Sequence, residues 1–231
     1  MRILVTGASR GIGRGIATVL AGAGHAVGAT ARSGDLLGDL AGEIRAAGGT
    51  CETATADLRS GEETAAAMDA LVGALGGVDA LVANAGIVER KPFLETTPED
   101  WDRILGTNVT GAYHATRAVL PRLVEQGRGH LVFVSSISGY MPLPGGAAYA
   151  ASKHALTGLA SSLMMEVRDR GVKVTTVFPG SVDTESHRDG SDASWKVRPE
   201  EVGEAVRAAL ETRAGNLLSR IEIRPLGRPS G

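Results

Sequence analysis

Hydrophobic residues along the chain fall alternately into short continuous runs and longer stretches with helical spacing. Residues 3–6 form a short apolar run, and glycines then lead into a helical pattern over 12–23. The alternation continues with a strand at 26–31, a helix at 36–47 and a strand at 50–55. Ser60-Gly61-Glu62-Glu63 has the capping-box pattern and opens a helix to about residue 75. A strand at 78–83 precedes Thr97-Pro98-Glu99-Asp100, a helix start with proline at the tolerated first position. That helical pattern runs to about residue 125, with a bend expected near Gly106 or Gly111. Strands at 130–135 and 172–178 flank a long helix at 147–170, and a helix at 199–212 leads to a last strand at 217–223. Repeated β-α units with near-continuous apolar strands predict an α/β, doubly wound architecture. Its seven-stranded parallel sheet would be covered by helices on both faces, with right-handed crossovers.

With 231 residues, no linker and no low-complexity stretch, residues 1–231 read as a single domain. The content of 43% hydrophobic residues suffices for a core, and 32 glycines with only 3% aromatics suggest close backbone packing and tight turns. A net charge of −2 gives no electrostatic case for nucleic acid. The basic cluster Arg220, Arg224 and Arg228 reads as solvated surface. A lone cysteine, Cys51, excludes an internal disulfide and a cysteine-based zinc site, and the five histidines show no metal-ligand spacing, so no metal is expected. His154 reads as a helix-surface or subunit-contact residue. The first apolar run is too short for a signal peptide, and no stretch approaches the ~18 apolar residues of a membrane helix. A soluble, cytoplasmic protein without a membrane partner is the expectation. The stretch 181–197 is the least regular and reads as a mobile loop.

Two clusters carry chemistry. Thr6-Gly7-Ala8-Ser9-Arg10-Gly11-Ile12-Gly13 joins the first strand to the first helix. Glycines there permit a tight turn and close backbone approach to a pyrophosphate, and the helix N-terminus offers unpaired N–H groups. Strand two ends in Arg32 rather than the carboxylate that would bind the ribose 2′-OH of NAD. Arg32 and Arg10 suit a 2′-phosphate through their planar donor forks, which favours NADP(H) as cofactor. The second cluster is Tyr149 and Lys153, one helical turn apart, with Ser136 thirteen residues before the tyrosine. A neighbouring ammonium would lower the phenol pKa from about 10, and a tuned tyrosine can exchange a proton with an alcohol or carbonyl oxygen. Ser135 competes with Ser136 for the serine position, since adjacent strand residues point to opposite faces.

Together these residues resemble the short-chain dehydrogenase/reductase family over almost the whole chain, from Thr6 to about Thr184. The resemblance implies a doubly wound Rossmann fold, NADP(H) and a carbonyl or secondary alcohol substrate. Thr6, Gly7, Gly11 and Gly13 match the family glycine motif, with Ser9, Arg10 and Ile12 in the same loop. Asp57, followed by Leu58, matches an aspartate near the adenine, and Asn84-Ala85-Gly86 matches the family element after strand four, with Ala83 where a second asparagine is common. Asn108 matches the asparagine that holds a helix kink and a relay water. Ser136, Tyr149 and Lys153 match the catalytic trio, and Lys153 also holds the nicotinamide ribose in the family. The spacing to the tyrosine selects Ser136 over Ser135. Pro179, Gly180, Val182 and Thr184 match the segment that faces the nicotinamide.

The glycine loop is most like that of 3-oxoacyl-thioester reductases; a generic ketone or aldehyde reductase fits equally. The C-terminal residues 221–226 and the short segment 184–199 depart from common members and leave the substrate open. Two rival readings are a non-catalytic NADP-binding regulator, which the complete trio disfavours, and an NAD-dependent alcohol dehydrogenase. The resemblance also implies a homotetramer or homodimer through the two long helices, with Ala155, Gly158 and Ala160 allowing close packing.

Overall fold

A computed structural model describes residues 1–184 and 193–227. Along the chain run β1 (Arg2–Thr6), α1 (Gly11–Gly22), β2 (Ala26–Ala31), α2 (Gly34–Ala46), β3 (Thr50–Thr55), α3 (Gly61–Leu75) and β4 (Ala80–Ala83). Then follow α4 (Pro98–Leu105), α5 (Gly111–Glu125), β5 (Gly129–Val134), α6 (Ala147–Val167), β6 (Val172–Pro179), α7 (Pro199–Leu210) and β7 (Arg220–Ile223). The strands form one parallel sheet in the order β3-β2-β1-β4-β5-β6-β7. The order reverses between β1 and β4, and a crevice opens there beyond the strand ends.

Alternate strand residues feed two cores. Ile3, Val5 and Val132 pack with Ile16, Leu20, Leu40, Val202 and Val206 from α1, α2 and α7. Leu4, Leu131 and Phe133 pack on the other face with Met68, Leu71, Val119, Leu123 and Leu156 from α3, α5 and α6. Both faces are therefore apolar, as a parallel sheet between helix layers requires. Two glycines let α1 and α7 touch: a Cβ on Gly15 would lie 2.6 Å from Pro199, and one on Gly203 would lie 3.0 Å from Gly15 O.

The predicted elements recur with shifts at their ends. The bend between α4 and α5 is a wide π-helical turn, Gly106–Thr110, that contains Asn108. Thr97 and Asp100 form a reciprocal capping box on α4. The box at Ser60 is only half formed. Ser60 Oγ accepts from Glu63 N at 3.2 Å, but the Ser60 N–H is committed to Asp57 O, so the Glu63 carboxylate accepts from Asp57 N instead. The last strand is shorter than expected; just before it the Leu218 carbonyl accepts from the Thr175 hydroxyl at 2.7 Å.

The C-terminal basic cluster is not simply solvated. Arg220 stacks over Phe178, 4.6 Å from its ring centroid, and Arg224 donates to the Tyr140 hydroxyl at 2.7 Å. Two aromatic rings at the end of β6 give these cations a surface to cover. Arg228 lies outside the described residues, as does the 185–192 part of the expected loop. The base of that loop is closed by parallel pairing of Val182 with Val197. Ala160 belongs to the core, whereas Ala155 and Gly158 are exposed. Among the described residues no helix is long and apolar enough to cross a membrane.

His130, at the second position of β5, is 2% exposed. Thr175 gives its one hydroxyl proton to Leu218 O, so its oxygen accepts at 2.7 Å from a protonated Nε2 of His130. Burial first, and the Lys173 charge second, push the imidazole down to about 4. The unfolded imidazole binds a proton near 6.5 that the folded one refuses until about 4. Acid therefore favours the unfolded chain across that window. Stability measured by urea unfolding should fall by about 2 kcal/mol between about pH 7.5 and 5 through this group. His130→Gln keeps a donor without titrating and should remove most of that slope. An unchanged slope would contradict the assignment.

Candidate active site

The strand ends on either side of the switch point line one cleft. Gly7, Ser9, Arg10, Gly11, Ile12 and Gly13 form its floor under the N-terminus of α1. Gly7 and Gly11 adopt left-handed φ values of +67° and +53°, which a side chain would strain. A Cβ on Gly13 would lie 2.2 Å from Gly7 O, so only glycine lets the helix sit this close. Arg10 precedes the helix without a side-chain cap, and the first-turn N–H groups remain open toward the cleft.

Arg32, Asp57 and Leu58 line the far end, joined by Ser33, which the sequence did not single out. Asp57 is engaged by Arg59 with contacts down to 2.6 Å. The Arg59 guanidinium, and more weakly Arg32, hold its carboxyl below the usual range. Arg59 also escaped the sequence reading, although it stands only two residues from Asp57.

Asn84, Ala85 and Gly86 line the middle of the cleft. The Asn84 amide donates to Thr6 O at 3.0 Å, so its side chain fastens the glycine loop. Pro179, Gly180, Val182 and Thr184 form the opposite wall. These features fit a dinucleotide: a glycine floor without side chains, an uncapped helix N-terminus for phosphates, and two exposed arginines at the far end.

Ser136, Tyr149 and Lys153 meet at the near end and are 8%, 7% and 5% exposed. Ser135 also borders the cleft, but its hydroxyl donates to Lys153 O at 3.2 Å and contacts Thr157 Oγ1 at 3.1 Å, on α6. Ser136 Oγ accepts from Ser138 N–H at 3.1 Å, which leaves its own proton to donate. The geometry thus separates the two serines.

Lys153 stands beside the Tyr149 ring and directs a hydrogen bond to the backbone of β5. Lys153 Nζ donates to Val134 O at 2.9 Å and lies 5.9 Å from the Tyr149 ring centroid. Burial raises the Tyr149 pKa above its ordinary value, opposed by the facing Ser136 hydroxyl and the Arg90 charge. Burial likewise pushes Lys153 down to about 8. The sequence spacing gives the neighbourhood of phenol and ammonium but not the dehydration they share.

Asn108 is fully buried behind the cleft. Its Oδ1 accepts from Ile87 N at 2.8 Å, and its Nδ2 donates to Ile87 O at 3.0 Å and Ser152 Oγ at 3.0 Å. Ser152 Oγ donates to Tyr149 O at 2.7 Å, which links the π-helical turn to the tyrosine's own backbone. Ser152, Val88 and Thr107 join the site without having been singled out beforehand. His154 is exposed on α6, its Nδ1 on Ala150 O at 2.9 Å, away from this chemistry.

The short chain dehydrogenase family model matches residues 1–194. An uncharacterized oxidoreductase of Myxococcus xanthus is 44% identical over 190 residues, 79% of this chain and 72% of that protein. An alcohol dehydrogenase from the archaeon Thermococcus sibiricus, solved with 5-hydroxy-NADP, superposes with a TM-score of 0.91. It is 29% identical, with coverage of 100% of this chain and 99% of that one. Serine dehydrogenase from Escherichia coli superposes with a TM-score of 0.87 at 30% identity, with complete coverage of both chains. On its sequence and its fold, the chain belongs to the short-chain dehydrogenase family.

Proposed function

We propose that this oxidoreductase transfers hydride reversibly between NADP(H) and a small carbonyl or secondary alcohol. The observation that carries the reading is one cleft in which a buried, protonated tyrosine and a serine with a free proton share a wall with the glycine floor. When bound, NADPH supplies the hydride that reduces the carbonyl carbon and is itself oxidised to NADP+. Tyr149 then gives its proton to the carbonyl oxygen, so the product is a neutral alcohol. Ser136 donates a hydrogen bond to the same oxygen and fixes its position. Lys153, one turn along α6, stabilises the phenolate left behind while it is charged. Asn108 holds the π-helical turn and the backbone around Ile87, which keeps a solvent path to the proton chain in place.

Arg10 and Arg32 support NADP over NAD: both are exposed at the far end of the cleft, and no carboxylate stands at the end of β2. The neighbours named above add support, since one was solved with an NADP analogue and their names point to alcohol substrates. A ketone or 3-oxoacyl reductase is the substrate class in keeping with this chemistry. Exposed Tyr113 on α5 and exposed Ala155, Gly158 and Met165 on α6 support a homodimer or homotetramer through these helices.

Tyr149→Phe should lower turnover of NADPH with ketones and aldehydes by about 10²- to 10⁴-fold. The affinity for NADPH, read by fluorescence titration, should stay within about threefold. Equal turnover would sink the catalytic assignment, and wild-type binding without turnover on any carbonyl would favour the regulator. Arg32→Ala should weaken NADPH roughly tenfold or more and leave NADH nearly unchanged, because only the 2′-phosphate loses its fork. A parallel loss for both cofactors would remove Arg32 from the selectivity argument.

A further inference from the structure

Strands β2 and β3 end side by side at the far end of the cleft. Ala56 N donates to Ala31 O at 3.1 Å, so the parallel ladder runs one step past β3, and Arg32 and Asp57 emerge from neighbouring strands. Both line the cleft, and among the described residues Asp57 is the only carboxylate that does. Arg32 is exposed, and among the described residues its guanidinium has no ion pair or hydrogen bond. A carboxylate beside an unpaired arginine would ordinarily claim it, and would repel a phosphate that came there.

Asp57 does not claim Arg32, because Arg59 already holds it. Arg59 Nε lies 3.1 Å from Oδ1 and 3.0 Å from Oδ2, Nη2 donates to Oδ2 at 2.6 Å, and the Arg59 backbone N–H donates to Oδ1 at 3.0 Å. Arg59 itself does not line the cleft, so it grips the carboxylate from outside. The Glu63 carboxylate accepts from Asp57 N–H at 2.9 Å and also stays out of the cleft. Arg59 has the largest influence on the Asp57 carboxyl, and Arg32 is the only other cation that acts on it. We propose that Arg59 is a positioning residue for cofactor choice: it engages Asp57 and cancels its charge, which leaves the Arg32 fork for the 2′-phosphate of NADP(H). This rests on the NADP(H) reading given above. Arg59 acts through Asp57 and not on the phosphate. Without it, Asp57 would turn to Arg32, and a 2′-phosphate would meet an unmatched carboxylate.

The test reads binding alone, by calorimetric titration. NADP+ and NAD+ form one pair of ligands; adenosine 2′,5′-bisphosphate and adenosine 5′-monophosphate repeat the comparison without the nicotinamide end. The wild type should prefer the 2′-phosphorylated member of each pair. In Arg59→Gln that preference should fall roughly three- to tenfold, through weaker binding of the phosphorylated member. Arg59→Lys keeps the charge without the planar fork and should lose less. Asp57→Asn added to Arg59→Gln removes the carboxylate and should return the preference to at least the wild-type value. Any effect of either change on the shared adenosine part cancels in the ratio. A preference unmoved by Arg59→Gln, including equal weakening of both members of a pair, overturns the proposal. So does a loss that Asp57→Asn fails to reverse, since the effect would then not run through the carboxylate. A wild type that binds both members of each pair alike sinks the NADP(H) reading, and this proposal with it, before any variant is made.

Discussion

Thr6 sits where the sheet changes direction, and the cleft depends on what its hydroxyl does there. The side chain is 1% exposed, and its oxygen accepts both Asn84 N–H and Ala85 N–H at 3.0 Å. Asn84 returns a bond to Thr6 O. The ends of β1 and β4 would otherwise diverge, because adjacent strands at a switch point send their connections to opposite faces. Buried backbone donors left there without partners would cost about 1–3 kcal/mol each. The threonine satisfies two of them at once and thereby holds the glycine floor at a fixed distance from the Asn84–Gly86 wall. The close packing of Gly13 against Gly7 O is possible only while that distance is kept.

A second lock joins this wall to the chemistry. Asn108 clasps the Ile87 backbone from both sides and passes its remaining proton to Ser152, which bonds the Tyr149 carbonyl. A regular α-helix through residues 106–110 would place the asparagine differently; the wider π-helical turn gives it room to face inward. A Cβ on Gly86 would lie 3.2 Å from Asn108 Oδ1 and 3.6 Å from Lys153 Nζ, so the wall stands close to both the turn and α6. The wall at Ile87, the π-helical turn and the part of α6 that carries Tyr149 are thus bonded to one another.

The fold was legible because its signals are periodic and local. Apolar runs on both sheet faces and capping residues such as Thr97 mark parallel strands and helix starts without knowledge of the tertiary structure. That Ser136, Tyr149, Lys153 and the glycine loop would share one cleft was legible as spacing. What escaped has long-range causes. Glu63 matches a capping pattern, yet its carboxylate is drawn to Asp57 because a turn already occupies the Ser60 N–H. Arg220 and Arg224 read as surface charge until β6 brings Phe178 and the 136–141 segment brings Tyr140 beneath them.

The electrostatics of the near end follow from the same packing. Burial disfavours charge on Tyr149 and on Lys153 alike, so it moves the phenol up and the ammonium down. The two shifts oppose each other's chemistry. A tyrosine that holds its proton firmly leaves a costly phenolate, whereas a lysine lowered only to about 8 is still charged near neutral pH. The Ser136 hydroxyl and, more weakly, the charge of the exposed Arg90 oppose that burial effect on the phenol. The hydrogen bond from Lys153 to Val134 O fixes the ammonium beside the Tyr149 ring, so the two groups share one dehydrated corner of the cleft.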